Sequence, residues 1–145
     1  MKGIVFTEFM EMIEEHYGMA LADQLLQEAS NFPSKGIYTA VGTYDFSEMQ
    51  HLLGSLSEKV QREATDLLQL FGHHLFKSFA TRYADMFAKY EIQSTFDLMN
   101  NLDDCIHVEV HKLYPDATLP KFHAQEDGNK LMMTYRSPRR MASLA

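Results

Sequence analysis

Apolar residues recur at intervals of three and four along this chain up to about Tyr114, and the spacing predicts amphipathic helices. Val5, Phe6, Phe9, Met10, Met12, Ile13 and Tyr17 form the stripe of a first helix, which Gly18 closes. Leu21, Leu25 and Leu26, with Ala22 and Ala29, give a second, ended by the breaker run Asn31-Phe32-Pro33-Ser34-Lys35-Gly36. Ile37 to Thr43 is short and β-branched and reads as a single extended piece. Ser47 and Glu48 start a third helix through Leu53, where Gly54 interrupts or bends it. The longest pattern runs from about Glu63 to Phe87: Leu67, Leu68, Leu70, Phe71, Leu75, Phe76, Phe79, Tyr83 and Phe87. It is apolar on more than one side, as expected of a helix buried between others. Ser94 starts a short helix with Phe96, Leu98 and Met99. Asp103 or Asp104 then caps a helix carrying Ile106, His107, Val110, His111, Leu113 and Tyr114.

The rhythm changes after Pro115. Phe122–Gln125 and Lys130–Tyr135 read as paired strands around the turn Glu126-Asp127-Gly128-Asn129, and another strand starts where the chain stops at Ala145. The expected fold class is α+β: a helical N-terminal subdomain, residues 1–62, followed at 63–145 by a helix bearing His107 and a small antiparallel sheet. A lone hairpin is marginal in water, so the sheet is expected to gain strands or to be covered by helices. The sequence holds neither internal repeats nor low-complexity segments.

At 145 residues this is one domain, large enough to bury a sizeable core. Ten Met and ten Phe with no Trp is a load of adaptable side chains suited to irregular cavities. On composition alone a plain packed core is the simpler account. The net charge of −7 argues against nucleic acid or an anionic membrane surface as partner. No apolar run approaches the roughly 18 residues that span a bilayer. Glu8 and Glu11 interrupt what would be the apolar core of a signal peptide, so the chain reads as cytoplasmic. A single cysteine, Cys105, rules out an intrachain disulfide, a zinc-type cysteine cluster and covalent Cys-x-x-Cys-His haem attachment.

Two features carry candidate chemistry. Tyr135, Ser137 and Arg139 stand at i, i+2 and i+4, so on an extended backbone all three point to one face and Arg136 to the other. Such a row of donors suits a ligand with carboxylates or phosphates, which a guanidinium grips in bidentate fashion. His107 lies upstream on a helix with an apolar approach. Together they fit the two ends of one ligand, haem: iron on the imidazole, propionates on the strand. Plainer accounts exist for each. A histidine on an apolar face is often satisfied by a backbone carbonyl, and Arg139 could make an ordinary surface ion pair.

Of the other histidines, His16 reads as surface, and His73 and His74 diverge because adjacent helical residues point apart. His107 and His111, at i and i+4, can share a metal. The run His107-Val108-Glu109-Val110-His111 nevertheless lacks the His-Glu-x-x-His order of a zinc protease. No catalytic group stands out, and the chain is not read as an enzyme.

Tyr135-x-Ser137-x-Arg139, with His107 in Leu102-Asp103-Asp104-Cys105-Ile106-His107, the opening Met1-Lys2-Gly3-Ile4-Val5 and Tyr17-Gly18, resembles the haem-nitric oxide/oxygen-binding (H-NOX) family. This is the sensor domain also found in soluble guanylate cyclase. The resemblance runs the length of the chain. It implies non-covalent haem b with His107 as proximal ligand of the iron, and Tyr135, Ser137 and Arg139 on the propionates. Pro120 would pack against the porphyrin and help bend it. Val5, Phe9, Leu75 and Phe79 would line the distal side. Members that hold oxygen stably use a distal tyrosine; the matching residue here is Leu144, and Leu75 stands where a supporting polar group would be. An apolar distal wall implies preference for nitric oxide, with carbon monoxide as a further ligand.

Haem is then expected between the helices and the sheet, with release of His107 on NO binding as the signal. A stand-alone domain of this kind would act on a partner such as a histidine kinase or a cyclic-di-GMP enzyme. Family members continue for some tens of residues past this point, so C-terminal strands are expected to be missing and one sheet edge open. Two other readings stay open: a metal-binding protein using His107, His111 and a third ligand such as His123, and a haem-free helical interaction module.

Overall fold

The structure, a computed structural model, describes residues 1–113, 115 and 118–137. The chain divides into two compact units, Met1–Phe79 and Ala80–Ala145. That division falls within a helix, later than the 62/63 boundary expected from the sequence.

In the first unit, α1 (Gly3–Tyr17), α2 (Met19–Glu28) with a 3₁₀ turn at Ala29–Asn31, α3 (Phe46–Val60) and the first part of α4 (Ala64–Arg82) surround one core. Phe6, Phe9, Met12 and Ile13 of α1, Leu25 of α2, Leu52 and Leu56 of α3 and Leu67 of α4 are fully buried there. Each such side chain contributes about 1.5–3 kcal/mol by leaving water. Gly18, at φ +88°, closes α1 by donating its N–H to the Glu14 carbonyl, a conformation that costs glycine little. Asp45 caps α3 by accepting from the Ser47 N–H at 2.8 Å. The buried Glu48 accepts from the hydroxyls of Ser34 and Tyr38, which ties the loop before α3 to that helix. Burial, reinforced by the Glu48 carboxylate, pushes the Tyr38 hydroxyl up to about 12.

Three expectations for this part of the chain are corrected. Residues 37–43 form no strand; the backbone makes one isolated bridge, Lys2 to Thr43. β-Branched residues favour extended backbone, but no second strand lies alongside. The hydrogen-bonding groups go instead to the start of α1, from Gly3 N to the Gly42 carbonyl and from Tyr44 N to the Met1 carbonyl. Gly3 belongs at that junction because a Cβ there would run into the Thr39 carbonyl oxygen. Second, Gly54 does not break α3, which continues to Val60. A helical glycine costs about 1 kcal/mol relative to alanine, less than the burial of Leu52 and Leu56 on either side returns. Third, the long apolar pattern is not one enclosed helix. It breaks at Tyr83, and within α4 only Leu67 and Phe71 are buried. Phe76 follows Phe71 by five positions, roughly 140° round the helix, and is 52 % exposed.

The second unit carries α5 (Ala84–Lys89), α6 (Thr95–Asn100), a π-helical turn at Asp103–His107, α7 (Val108–Leu113), and the strands β1 (Lys121–Asp127) and β2 (Lys130–Arg136). A capping box opens α6: Ser94 Oγ accepts from Asp97 N, and Asp97 Oδ2 accepts from Ser94 N at 2.8 Å. The Ser94 hydroxyl and the neighbouring backbone N–H groups hold the Asp97 carboxyl below its usual range. Asp103 and Asp104 do not cap a new helix. The chain runs from Asn101 straight into the π turn, with Ile106 N and His107 N both donating to the Leu102 carbonyl.

Strands β1 and β2 pair antiparallel from Lys121↔Arg136 to Asp127↔Lys130, leaving Gly128 and Asn129 as a two-residue turn with Gly128 at φ +61°. The register puts Phe122, Ala124, Leu131, Met133 and Tyr135 on one half-buried face, with Lys121, His123, Met132, Thr134 and Arg136 exposed opposite. Among the described residues the sheet has these two strands and no more.

Candidate functional site

His107 ends the π turn, and its ring is held from one side. Nδ1 stands 2.7 Å from Asp103 Oδ1, while Asp103 Oδ2 accepts from the Phe122 N–H at 3.2 Å. One carboxylate thereby ties the imidazole to the start of β1. The Phe122 ring lies 5.7 Å from that of His107, and the Tyr135 ring 5.5 Å beyond Phe122. Nδ1 therefore faces a carboxylate oxygen at ion-pair distance, an oxygen with no aligned hydrogen-bond partner of its own, and Nε2 is the ring nitrogen turned away from Asp103. A carboxylate on the far nitrogen is the usual arrangement that orients a histidine that binds metal.

Tyr135 lies on the inward face of β2, directly opposite Phe122 in the register. Ser137 follows just past the strand and is half-buried, while Arg136 between them is exposed. Pro120 is half-buried immediately before β1. Arg139 and Leu144 lie outside the described residues. In the first unit Val5 and Leu75 pack partly buried against the core, and Phe79 is half-buried. Phe9 is a core side chain, fully buried, with its ring edge-on to Phe71 at 5.1 Å.

The sequence reading missed Asp103 and Phe122. Asp103 reads, as does Asp104, as an N-cap, although its i, i+4 spacing to His107 is the spacing at which helical side chains meet. Among the described residues, His107, His111 and His123, the alternative metal ligands, do not converge. Among the described residues, the three ligand-bearing side chains that converge are Glu8, Glu11 and His74, while His111 and His123 are exposed. No helix of the described residues is long and apolar enough to cross a membrane.

The family model described as Haem-NO-binding matches residues 2–145. Among solved structures, the chain is similar to the H-NOX protein from Shewanella woodyi in the Fe(II)CO ligation state. The two share 41% identity at a TM-score of 0.77, covering 99% of this chain and 75% of that one. It is also similar to the Fe(II) unliganded H-NOX protein from K. algicida, with 38% identity, a TM-score of 0.82, and coverage of 99% and 77%. A third similar structure is the H-NOX protein from S. oneidensis in the Fe(II)NO ligation state, with 29% identity, a TM-score of 0.83, and coverage of 99% and 78%. A comparison with curated proteins finds no match.

Proposed function

The chain belongs to the haem-NO-binding family, and from that premise we propose that it senses nitric oxide through haem and passes the signal to a partner protein. The residues present fit the cofactor. His107 Nδ1 faces Asp103 Oδ1 at 2.7 Å, so Nε2 is the nitrogen that would meet the iron, and this pair is the observation that carries the reading. Tyr135 and Ser137 supply hydroxyls on one side of the same unit, where Arg139 would add a charge-assisted grip on a propionate. When bound, haem supplies a ferrous iron that takes a diatomic ligand.

The rest of the response belongs to the protein. His107 would hold the iron, Asp103 would steady His107, and Pro120 would stand against the porphyrin. Val5, Phe9, Leu75, Phe79 and Leu144 are the proposed distal residues. Leu75 and Leu144 cannot donate a hydrogen bond, which penalises oxygen, a ligand that carries partial negative charge when bound, more than nitric oxide. Letting go of His107 is the proposed signal. The imidazole ends a π turn, an irregular element frequent at functional sites, and ligand binding would shift it between a held and a released arrangement. The role is a sensor's rather than a catalyst's. A cytoplasmic histidine kinase or cyclic-di-GMP enzyme is the class of partner proposed, and carbon monoxide a second ligand.

Absorption of the purified protein tests this. A Soret band that shifts on adding NO under reducing conditions and is lost in His107→Ala is the expected result. If His107→Ala leaves haem content and the ferrous-NO spectrum unchanged, the axial assignment is wrong. Leu144→Tyr should slow oxygen loss from the ferrous protein, or slow its oxidation; an unchanged rate in both would mean that Leu144 does not face the iron.

A further inference from the structure

Glu8, Glu11 and Glu15 lie on one side of α1, at i, i+3 and i+7. His74 of α4 comes up to that side within the same unit. Its Nε2 is buried, has no hydrogen-bond partner, and stands 3.6 Å from Glu8 Oε2. Its Nδ1 stands 3.4 Å from Glu15 Oε2. One ligand atom each from Glu8, Glu11 and His74 falls within 4.8 Å of the others. We propose that these three side chains form a second metal site, for zinc or a similar divalent transition ion, distinct from the haem ligand His107.

The distances favour an ion over a direct pair. Charge-assisted hydrogen bonds between histidine and carboxylate close to about 2.8 Å, and neither His74 contact is that short. Two ligand atoms on a tetrahedral zinc at its usual bond lengths stand about 3.4 Å apart, close to the separation of Nε2 and Oε2. Two carboxylates and a neutral imidazole around a divalent cation sum to zero. Glu15 stands 3.4 Å from Nδ1, on the side of the ring where an outer carboxylate orients a ligating histidine. Glu11 is exposed and gives the ion its way in from solvent, with water at the remaining position. One nitrogen and two oxygens select against calcium, which takes oxygen ligands alone, and suit zinc, nickel or manganese.

The test is zinc uptake by the haem-loaded protein after EDTA treatment, which leaves haem iron in place. Equilibrium dialysis against zinc chloride, with elemental analysis, should find one zinc per chain in addition to iron, and haem-free protein should take up the same amount. His74→Gln should lose the zinc, and Glu15→Gln should weaken it by roughly 10- to 100-fold. His111→Ala and His123→Ala should retain it. Glu11→Gln alters an exposed side chain, so it reports on the site even if His74→Gln misfolds; it should weaken zinc at least tenfold. No uptake by the wild type, or equal uptake by the wild type and Glu11→Gln, overturns the proposal. Neither result bears on haem, which is read separately from the Soret band.

Discussion

Replacing Asp103 isolates the contact that most directly links this fold to its proposed chemistry. Asp103→Ala removes both the partner of His107 Nδ1 and the acceptor of the Phe122 N–H. Asp103 Oδ1 meets Nδ1 at ion-pair distance without an aligned hydrogen bond, so its effect on the ring is that of an outer partner of a ligating histidine. The ceiling is therefore a loss of roughly 10- to 100-fold in the hold of His107 on iron, the range found when outer partners of ligating histidines are removed. The Asp103 side chain is 38% exposed, so water replaces part of what is lost and the low end, about tenfold, is the expected value. Resonance Raman spectra of the ferrous protein read the iron–histidine stretch, which should fall in frequency when the carboxylate facing Nδ1 is removed. NO titration should then show His107 released at lower NO. Asp103→Asn separates function from scaffolding: its amide oxygen can still accept from Phe122 N, so the fold by circular dichroism stays intact while the stretch falls. An unchanged stretch in both variants would refute the argument, because Asp103 would then serve only to anchor β1.

Two further outcomes follow from the first unit. Leu52 is fully buried between the helices of the core, so Leu52→Ala should cost about 2–5 kcal/mol, read as a drop in urea midpoint at constant slope; a loss well under 1 kcal/mol would mean the core collapses around the gap. Tyr38 is raised from 10.0 to about 12, first by burial and then by Glu48. A folded value above the unfolded one means stability is full below about pH 10 and is lost as pH climbs towards 12, because the unfolded chain gives up the proton first. Tyr38→Phe should flatten that part of the pH–stability curve, and parallel curves for the two proteins would show that Tyr38 does not set it.

What the sequence disclosed, and what it withheld, divides by the range of the interaction. The stripes of α1, α2 and α3, the capping serine of α6 and the Asp127-Gly128-Asn129 turn are local signals, each decided within a few residues, and they stand close to where periodicity put them. The site was legible in part. His107 stands out by its neighbours and Tyr135 by its spacing, yet Asp103 reads as a cap because an acid just before an apolar run satisfies both roles equally well. What decides between them is the Phe122 N–H, brought to Asp103 by β1, a partner that no helical pattern contains. Residues 37–43 failed for the same reason in reverse: β propensity describes a fit to a neighbouring strand, and the neighbour here is the N-terminus of a helix. His74 is the extreme case. Beside His73 on one helix it carries no metal-binding signal, and Glu8 on α1, like Glu11, reads as an interruption of what would be an apolar signal-peptide core. Their meeting arises only when α4 packs on α1, with Phe71 against Phe9 one turn away from His74. The same apolar spacing that gives both helices their buried face therefore also determines which charged side chains come together, so the chemistry of this unit is a consequence of its packing register and would change with a one-residue slip of either helix.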